Sequence, residues 1–206
     1  MNNTKTVRKV AIVGYNRIPF ARANTAYTSV GNQEMMTAAL NGLVDKYNLQ
    51  GQLLGEVAGG AVIKHTYDNN LIRECVMKTA LDPATPACDL QQACDTGLES
   101  AMYIGNKIAV GQIEVGIAGG VDSTSNVPIM VNEGLRQLLL AVNRAKTTGA
   151  RISELLKIRP KHFSPLVPAN QEPRTGLAMG GHTEITAKYY NVPRAEQDQL
   201  AYESHM

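Results

Sequence analysis

The residues best suited to chemistry lie together in Pro86-Ala87-Cys88-Asp89-Leu90-Gln91-Gln92-Ala93-Cys94-Asp95-Thr96-Gly97-Leu98-Glu99-Ser100. The stretch reads as a strand, a turn and the opening of a helix. Cys94, Leu98, Ala101, Met102, Gly105, Ile108 and Ala109 recur at steps of three and four, the period of a helix with one buried face. The spacing predicts Cys94 in the first turn of that helix. There the leading backbone N–H groups have no internal partners and the dipole is positive, which favours a thiolate, the nucleophilic form of cysteine. Two facts pull the other way. Free cysteines are mostly buried small hydrophobes, and the carboxylate of Asp95 disfavours a second negative charge beside it. On these residues alone, a nucleophile and a packed thiol both stand.

Other chemical candidates are weaker. His182 offers a base, but a lone histidine is more often a satisfied partner or an exposed helix residue, and His65, His162 and His205 have no stronger claim. Cys75 and Cys88 read as structural, Cys88 on a buried strand. Between Arg144 and Lys161, Arg144, Lys146, Arg151, Lys157, Arg159 and Lys161 face a single acid, Glu154. Such a run suits phosphate groups, a solvated face, or a dock for a membrane surface or partner subunit. Three cysteines without a Cys-x-x-Cys pair argue against a disulfide frame and against a metal site.

The elements that must position Cys94 follow from patterning. Val10-Ala11-Ile12-Val13-Gly14 reads as a buried strand. Asn32 to Tyr47 carries Met36, Ala39, Leu40, Leu43, Val44 and Tyr47 on one helical stripe. Glu56 to Ile63 reads as a second strand, with Gly59 and Gly60 where another backbone or a ligand comes close. Leu71 to Ala80 reads as a helix, broken by Asp82-Pro83 and Thr85-Pro86. A third strand leads to Cys94, and Val115 to Asp122 is a fourth. Strands alternating with helices predict an α/β fold with a mostly parallel sheet, whose sites gather at the carboxyl ends of strands. From about Asn126, prolines and basic residues become frequent and strand-like runs stop. Arg159 to Arg174, with Pro160, Pro165, Pro168 and Pro173, reads as a long loop. Gly176 to Tyr190 and Pro193 to Met206 read as helices, the second with Pro193 in its first turn. That last helix meets no stop signal, so the chain is expected to be part of a longer protein.

The totals narrow the classes. A chain of 206 residues with 44% apolar residues can hold one large domain or a domain and a lobe. With no Trp and two Phe, the core must rest on Val, Ile, Leu, Ala and Met. A net charge of +2 gives no footing for nucleic acid. No segment approaches the ~20 apolar residues of a transmembrane helix, and the N-terminus lacks a targeting pattern. Reduced cysteines suit a cytoplasmic protein.

Several blocks, in order, resemble one family. Gln91 to Ala101 is similar to the nucleophile segment of thiolases, the acyl-CoA C-acyltransferases, which usually reads Asn-x-x-Cys-x-Ser-Gly-x-x-Ala. Here Gln91 stands for the Asn and Thr96 for the Ser, and both keep a hydrogen-bonding side chain. Met179-Gly180-Gly181-His182-Thr183-Glu184-Ile185-Thr186-Ala187-Lys188 resembles the family's Met-Gly-x-Thr-Ala-Glu-x-x-Ala-Lys block. Pro193 to His205 resembles its Ser-Arg-Glu-Glu-Gln-Asp-x-Phe-Ala-x-x-Ser-His block, and Arg17-Ile18-Pro19-Phe20 its Arg-Thr-Pro-Phe.

The resemblance implies a thiolase-like fold. Residues 1–125 would form the N-terminal α/β domain, a mixed, mostly parallel sheet with flanking helices. Residues 126–206 would form part of a mainly helical and irregular loop domain covering coenzyme A and the acyl chain. It implies CoA-dependent cleavage of a 3-ketoacyl-CoA, or the reverse Claisen condensation, through an acyl thioester on Cys94. Met179 and Gly180 would line the acyl and pantetheine pocket. Arg151, Lys157 and Arg159 are the candidates for the CoA phosphates. Coenzyme A is then a substrate, and no permanently bound cofactor is expected. Family members are homodimers or dimers of dimers. The segment from Pro168 to Gly180 resembles the thiolase subunit of fatty-acid β-oxidation complexes, which adds a partner subunit. The family's acid–base segments have no counterpart in these residues; Asn132-Glu133-Gly134-Leu135 does not match its Asn-Glu-Ala-Phe. The rival readings are a ketoacyl-synthase-like condensing enzyme and a non-catalytic thiolase-like binding or sterol-carrier-type protein.

Overall fold

The computed structural model describes residues 7–167 and 169–206. Residues 1–6, which contribute to the polar N-terminal stretch, and Pro168 lie outside the described residues. The chain divides into two compact units between Val131 and Asn132.

The first unit is built on three parallel strands, β1 (Glu56–Gly59), β2 (Ala87–Asp89) and β3 (Gly116–Ala118), in the order β2-β1-β3. Val57 pairs with Ala87 on one side and with Ile117 on the other. Successive strand residues point to opposite faces. On one face Val57 and Ile117 meet α1 (Asn32–Lys46) through Met36, Leu40 and Val44. The same cluster takes Leu71, Ile72, Cys75 and Val76 of α2 (Leu71–Met77). On the other face lies α3 (Thr96–Ala109), whose Tyr103 and Lys107 side chains reach Glu56 of β1.

Local chemistry sets the element ends. The Glu34 carboxylate accepts the Gly31 N–H and closes the start of α1. The Asp89 carboxylate accepts the N–H groups of both Leu71 and Ile72, tying the end of β2 to the start of α2. Helix α2 stops at Met77, short of the expected Ala80. The Thr79 hydroxyl donates to the Val76 carbonyl and the Lys78 N–H to that of Cys75, which closes the last turn. The strands are likewise shorter than the apolar runs that contain them.

Two expectations fail here. Val10 to Gly14 is not a buried strand: it has no sheet partner among the described residues, and Ile12 is 92% exposed. A strand exists only where a neighbour satisfies its backbone. Beside this segment runs a largely apolar groove of about 1100 Å³, walled also by Met36, Leu40, Ile104, Ile108 and Ile117. No described strand occupies it. The buried stripe of α3 is also rotated from the predicted one. Thr96, Ser100 and Ile104 face inward, while Leu98 and Met102 are 63% and 54% exposed. The small polar side chains fit because Ser100 donates to the Thr96 carbonyl at 2.7 Å, satisfying itself within the helix.

The second unit is helical: α4 (Glu133–Arg144), α5 (Thr148–Leu155), α6 (Met179–Tyr189) and α7 (Arg194–His205). Helices α4 and α5 were not expected from the sequence. Their start signals were present: Asn132 accepts the Leu135 N–H and Thr147 accepts the Ala150 N–H. Helix α6 starts at Met179 rather than Gly176, because Gly176 takes a left-handed conformation (φ 69°). Pro193 precedes α7 as its cap instead of sitting in its first turn. Residues 126–131 lie within the first compact unit. There the His65 ring nitrogen bonds the Asn126 carbonyl at 3.0 Å, and the Ser123 hydroxyl accepts from Ser125 and Asn126.

Candidate active site

The site forms where the carboxyl ends of the strands meet the start of α3. Pairing continues past the strands: Leu90 N–H donates to the Gly59 carbonyl, Gly119 to Ala58 and Val121 to Gly60. Glycines line this end because neighbouring backbone is too close for side chains. A Cβ on Gly60 would collide with the Leu90 carbonyl, and one on Gly59 would stand 2.9 Å from the Gly119 carbonyl oxygen.

Between β2 and α3 the chain turns sharply. Ala93 takes the left-handed region at φ 46°, which a residue with a Cβ rarely adopts. Asp95 N–H donates to the Gln92 carbonyl at 3.0 Å, and Thr96 N–H to that of Ala93 at 3.2 Å. The turn consumes the residues that the sequence pattern assigned to the helix. Helix α3 begins at Thr96 with Asp95 as its cap, so Cys94 precedes the cap rather than lying in the first turn.

Cys94 opens on a pocket of about 310 Å³ lined by Gly60, Ala93, Thr96, Gly97, Gly120, Val121 and Asp122. Helix geometry leaves the Gly97 and Leu98 N–H groups without an intrahelical acceptor, and Gly97 lines the same pocket. Asp122 is the other titratable side chain of the lining, but its carboxylate is occupied. It accepts the N–H groups of Val62 (3.0 Å) and Ile63 (2.7 Å) and pins the loop after β1.

The three thiols differ sharply. Cys94 is exposed, Cys88 half-buried and Cys75 fully buried. Burial pushes the Cys75 thiol up to about 11. Burial and then the neighbouring Glu56 carboxylate push the Cys88 thiol upward as well. Burial also acts to raise Glu56, but the Lys107 ammonium outweighs it, helped by Cys88 and Tyr103, and holds the carboxyl below its ordinary range. Sequence reasoning missed this polar cluster under the sheet. Its signal was a charged residue opening an otherwise apolar strand.

The second unit holds the remaining sequence candidates. Met179 and Gly180 open α6, with Met179 71% exposed and open space around Gly180. Arg151 lies on α5 and its guanidinium donates to the Ala145 carbonyl. Lys157 pairs with Glu154 at 2.6 Å, and Arg159 precedes a short 3-10 turn at Pro160–Phe163. His182 contacts the Glu172 carboxylate at 3.3 Å and the Thr175 hydroxyl at 3.4 Å, the surroundings of a satisfied partner. Among the described residues, no cluster of three or more His, Cys, Asp or Glu side chains could hold a metal ion. No described helix is long and apolar enough to cross a membrane.

Residues 10–206 match the family model described as the N-terminal domain of thiolase. A 3-ketoacyl-CoA thiolase of Shewanella oneidensis is 37% identical over 197 residues, covering 96% of this chain and 45% of the relative. The 3-ketoacyl-CoA thiolase of Shewanella piezotolerans is 36% identical over the same shares. The crystal structure of the Bacillus anthracis acetyl-CoA acetyltransferase superposes with a TM-score of 0.74, over 98% of this chain and 47% of that one. At 20% identity this last likeness speaks for the fold alone. The chain spans about half the length of the curated relatives it matches.

Proposed function

Since this chain belongs to the thiolase family, we propose that it is the acyl-accepting half of an acyl-CoA C-acyltransferase, with Cys94 as the nucleophile. The observation that carries the reading is the exposed Cys94 thiol in a glycine-lined pocket at the carboxyl ends of parallel strands.

The Cys94 thiolate attacks the 3-keto carbon of a 3-ketoacyl-CoA. The C2–C3 bond breaks, the acyl group stays on sulfur as a thioester, and acetyl-CoA leaves as its enolate, gaining a proton at C2. The thiol of a second CoA then loses its proton, attacks the thioester and releases the shortened acyl-CoA. The covalent intermediate divides one difficult transfer into two. The same steps run backwards give Claisen condensation. Unpartnered N–H groups at the start of α3 supply donors for a developing oxyanion. Because the Asp122 carboxylate already accepts two backbone N–H groups, proton transfer is assigned to groups elsewhere in the full-length protein.

In the second unit, Met179 and Gly180 are proposed for the acyl and pantetheine path. The exposed thioether adapts to chains of varied shape, and Gly180 leaves room for close approach. Arg151, Lys157 and Arg159 are proposed for the CoA phosphates. Of these, Lys157 must exchange its Glu154 partner for phosphate. Residues 1–125 are proposed as the α/β domain and 126–206 as part of the loop domain. The complete protein is proposed to be a cytoplasmic homodimer or dimer of dimers in fatty-acid β-oxidation. The outer position of β2 in the three-stranded sheet supports a pairing edge. Light scattering of the full-length protein returning a monomer mass would refute the dimer.

The test is mass spectrometry of the full-length protein after exposure to acetoacetyl-CoA or acetyl-CoA. An acetyl group on a peptide containing Cys94 is expected. Labelling confined to Cys75 or Cys88 overturns the assignment.

A further inference from the structure

The left-handed Ala93 has no glycine to make it easy, so something must hold it. A non-glycine residue in this region is strained and persists only where its surroundings over-determine it. The surroundings converge on one side chain. The Thr96 hydroxyl donates to the Ala93 carbonyl at 2.7 Å and accepts the Gln92 N–H at 2.9 Å. These two bonds bracket the peptides immediately before Cys94. Thr96 itself is buried at the strand end: a Cβ on Gly60 would stand 3.1 Å from the Thr96 methyl. One side chain therefore joins the helix start to the turn through its hydroxyl and packs at the end of β1 through its methyl.

We infer that Thr96 is a positioning residue, whose hydroxyl locks the strained turn so that the Cys94 sulfur faces the pocket in a fixed direction. This rests on Cys94 being the acyl acceptor. The two groups of Thr96 have separable duties. The hydroxyl sets the turn and the methyl fills the space against Gly60. A near-isosteric Val keeps the bulk and loses both bonds. A Ser keeps both bonds and loses the methyl.

The experiment uses the full-length protein and counts acylated Cys94 by mass spectrometry, so that rates are expressed per competent site. Thr96→Val should lower kcat per acylated site about tenfold or more, the order expected when a reacting group loses its orientation. KM should stay within about twofold, because uniform substrate binding is untouched. Thr96→Ser should restore kcat to within about threefold of the starting protein. Thr96→Ala, which removes the hydroxyl without adding bulk, should show the same loss as Thr96→Val should the latter fail to fold. A merely structural role would lower the number of competent sites while leaving the rate of each unchanged. That result in Thr96→Val or Thr96→Ala, or a Thr96→Ser as slow as Thr96→Val, overturns the inference. Failure of the starting protein to acylate Cys94 at all is a different outcome and overturns the underlying reading instead.

Discussion

The two units of this chain are held together by different means. In the first, a parallel sheet lies between helices, and Val57, Leu71, Ile72, Cys75 and Val76 are completely buried. In the second, among the described residues, only Leu135 and Leu138 are buried. Its helices are capped by side chains such as Asn132 and Thr147, and its ion pairs, Arg136–Glu133 and Arg194–Asp198 among them, lie on the surface. The difference matches their proposed work. A nucleophile must be fixed to a fraction of an ångström, which calls for close packing beneath it. A surface that receives a long flexible substrate arm can be assembled from locally stable helices.

The largest effect that would break this contrast is in the packing. Leu71→Ala should cost the full-length protein about 3 kcal/mol in denaturant unfolding, whereas Leu138→Ala should cost about 1 kcal/mol because its surroundings can collapse around the gap. Equal losses would erase the distinction. Next comes Gly60→Ala, expected to destabilise by about 2 kcal/mol because the added Cβ meets the Leu90 backbone, which cannot swing aside as a side chain would. Gly149→Ala on α5, with open space around it, should be neutral or stabilising by comparison.

A smaller effect sits on the underside of the sheet. Glu56 has a folded-state ionisation held below its ordinary range. A lowered carboxyl contributes stability that is present above its unfolded value, about 4.3, and lost as pH falls through the folded value. The Lys107 ammonium is raised above its ordinary range by the same partner, so its share is lost only in strong alkali. Lys107→Met should therefore lower Tm by a few degrees at neutral pH, with the gap from the starting protein narrowing in acid. A gap that grows in acid would reverse the sign and the explanation. Smallest of all, Arg194→Ala on α7 should leave Tm unchanged within error, since an exposed i,i+4 pair contributes little.

Much of the first unit was legible because its signals are local and redundant. The Met36, Leu40 and Val44 stripe, the glycine-rich strand ends and the Pro83 and Pro86 breaks each point to the observed elements. The position of Cys94 at a strand-to-helix junction was legible too. What could not be read was its exact offset, because the turn depends on Thr96 reaching back to Gln92 and Ala93. The rotated face of α3 escaped for a similar reason. Ser100 is buried against its chemical type because its hydroxyl is satisfied one helical turn earlier. Helices α4 and α5 sit among prolines and basic residues that read as irregular chain, although Leu135, Leu138, Leu139 and Val142 keep a helical period and the caps Asn132 and Thr147 were in plain view. The Val10 to Gly14 run was misread because composition reports a preference for burial, whereas a strand needs a neighbour.

The groove beside β3 carries a practical lesson for handling residues 1–206 by themselves. Water meets a largely apolar trench there, and dissolved molecules bearing such a feature gain by clumping. Salts that strengthen the aversion of oil for water, ammonium sulfate among them, should bring this piece out of solution early. Mild detergents that coat the trench should hold it dispersed.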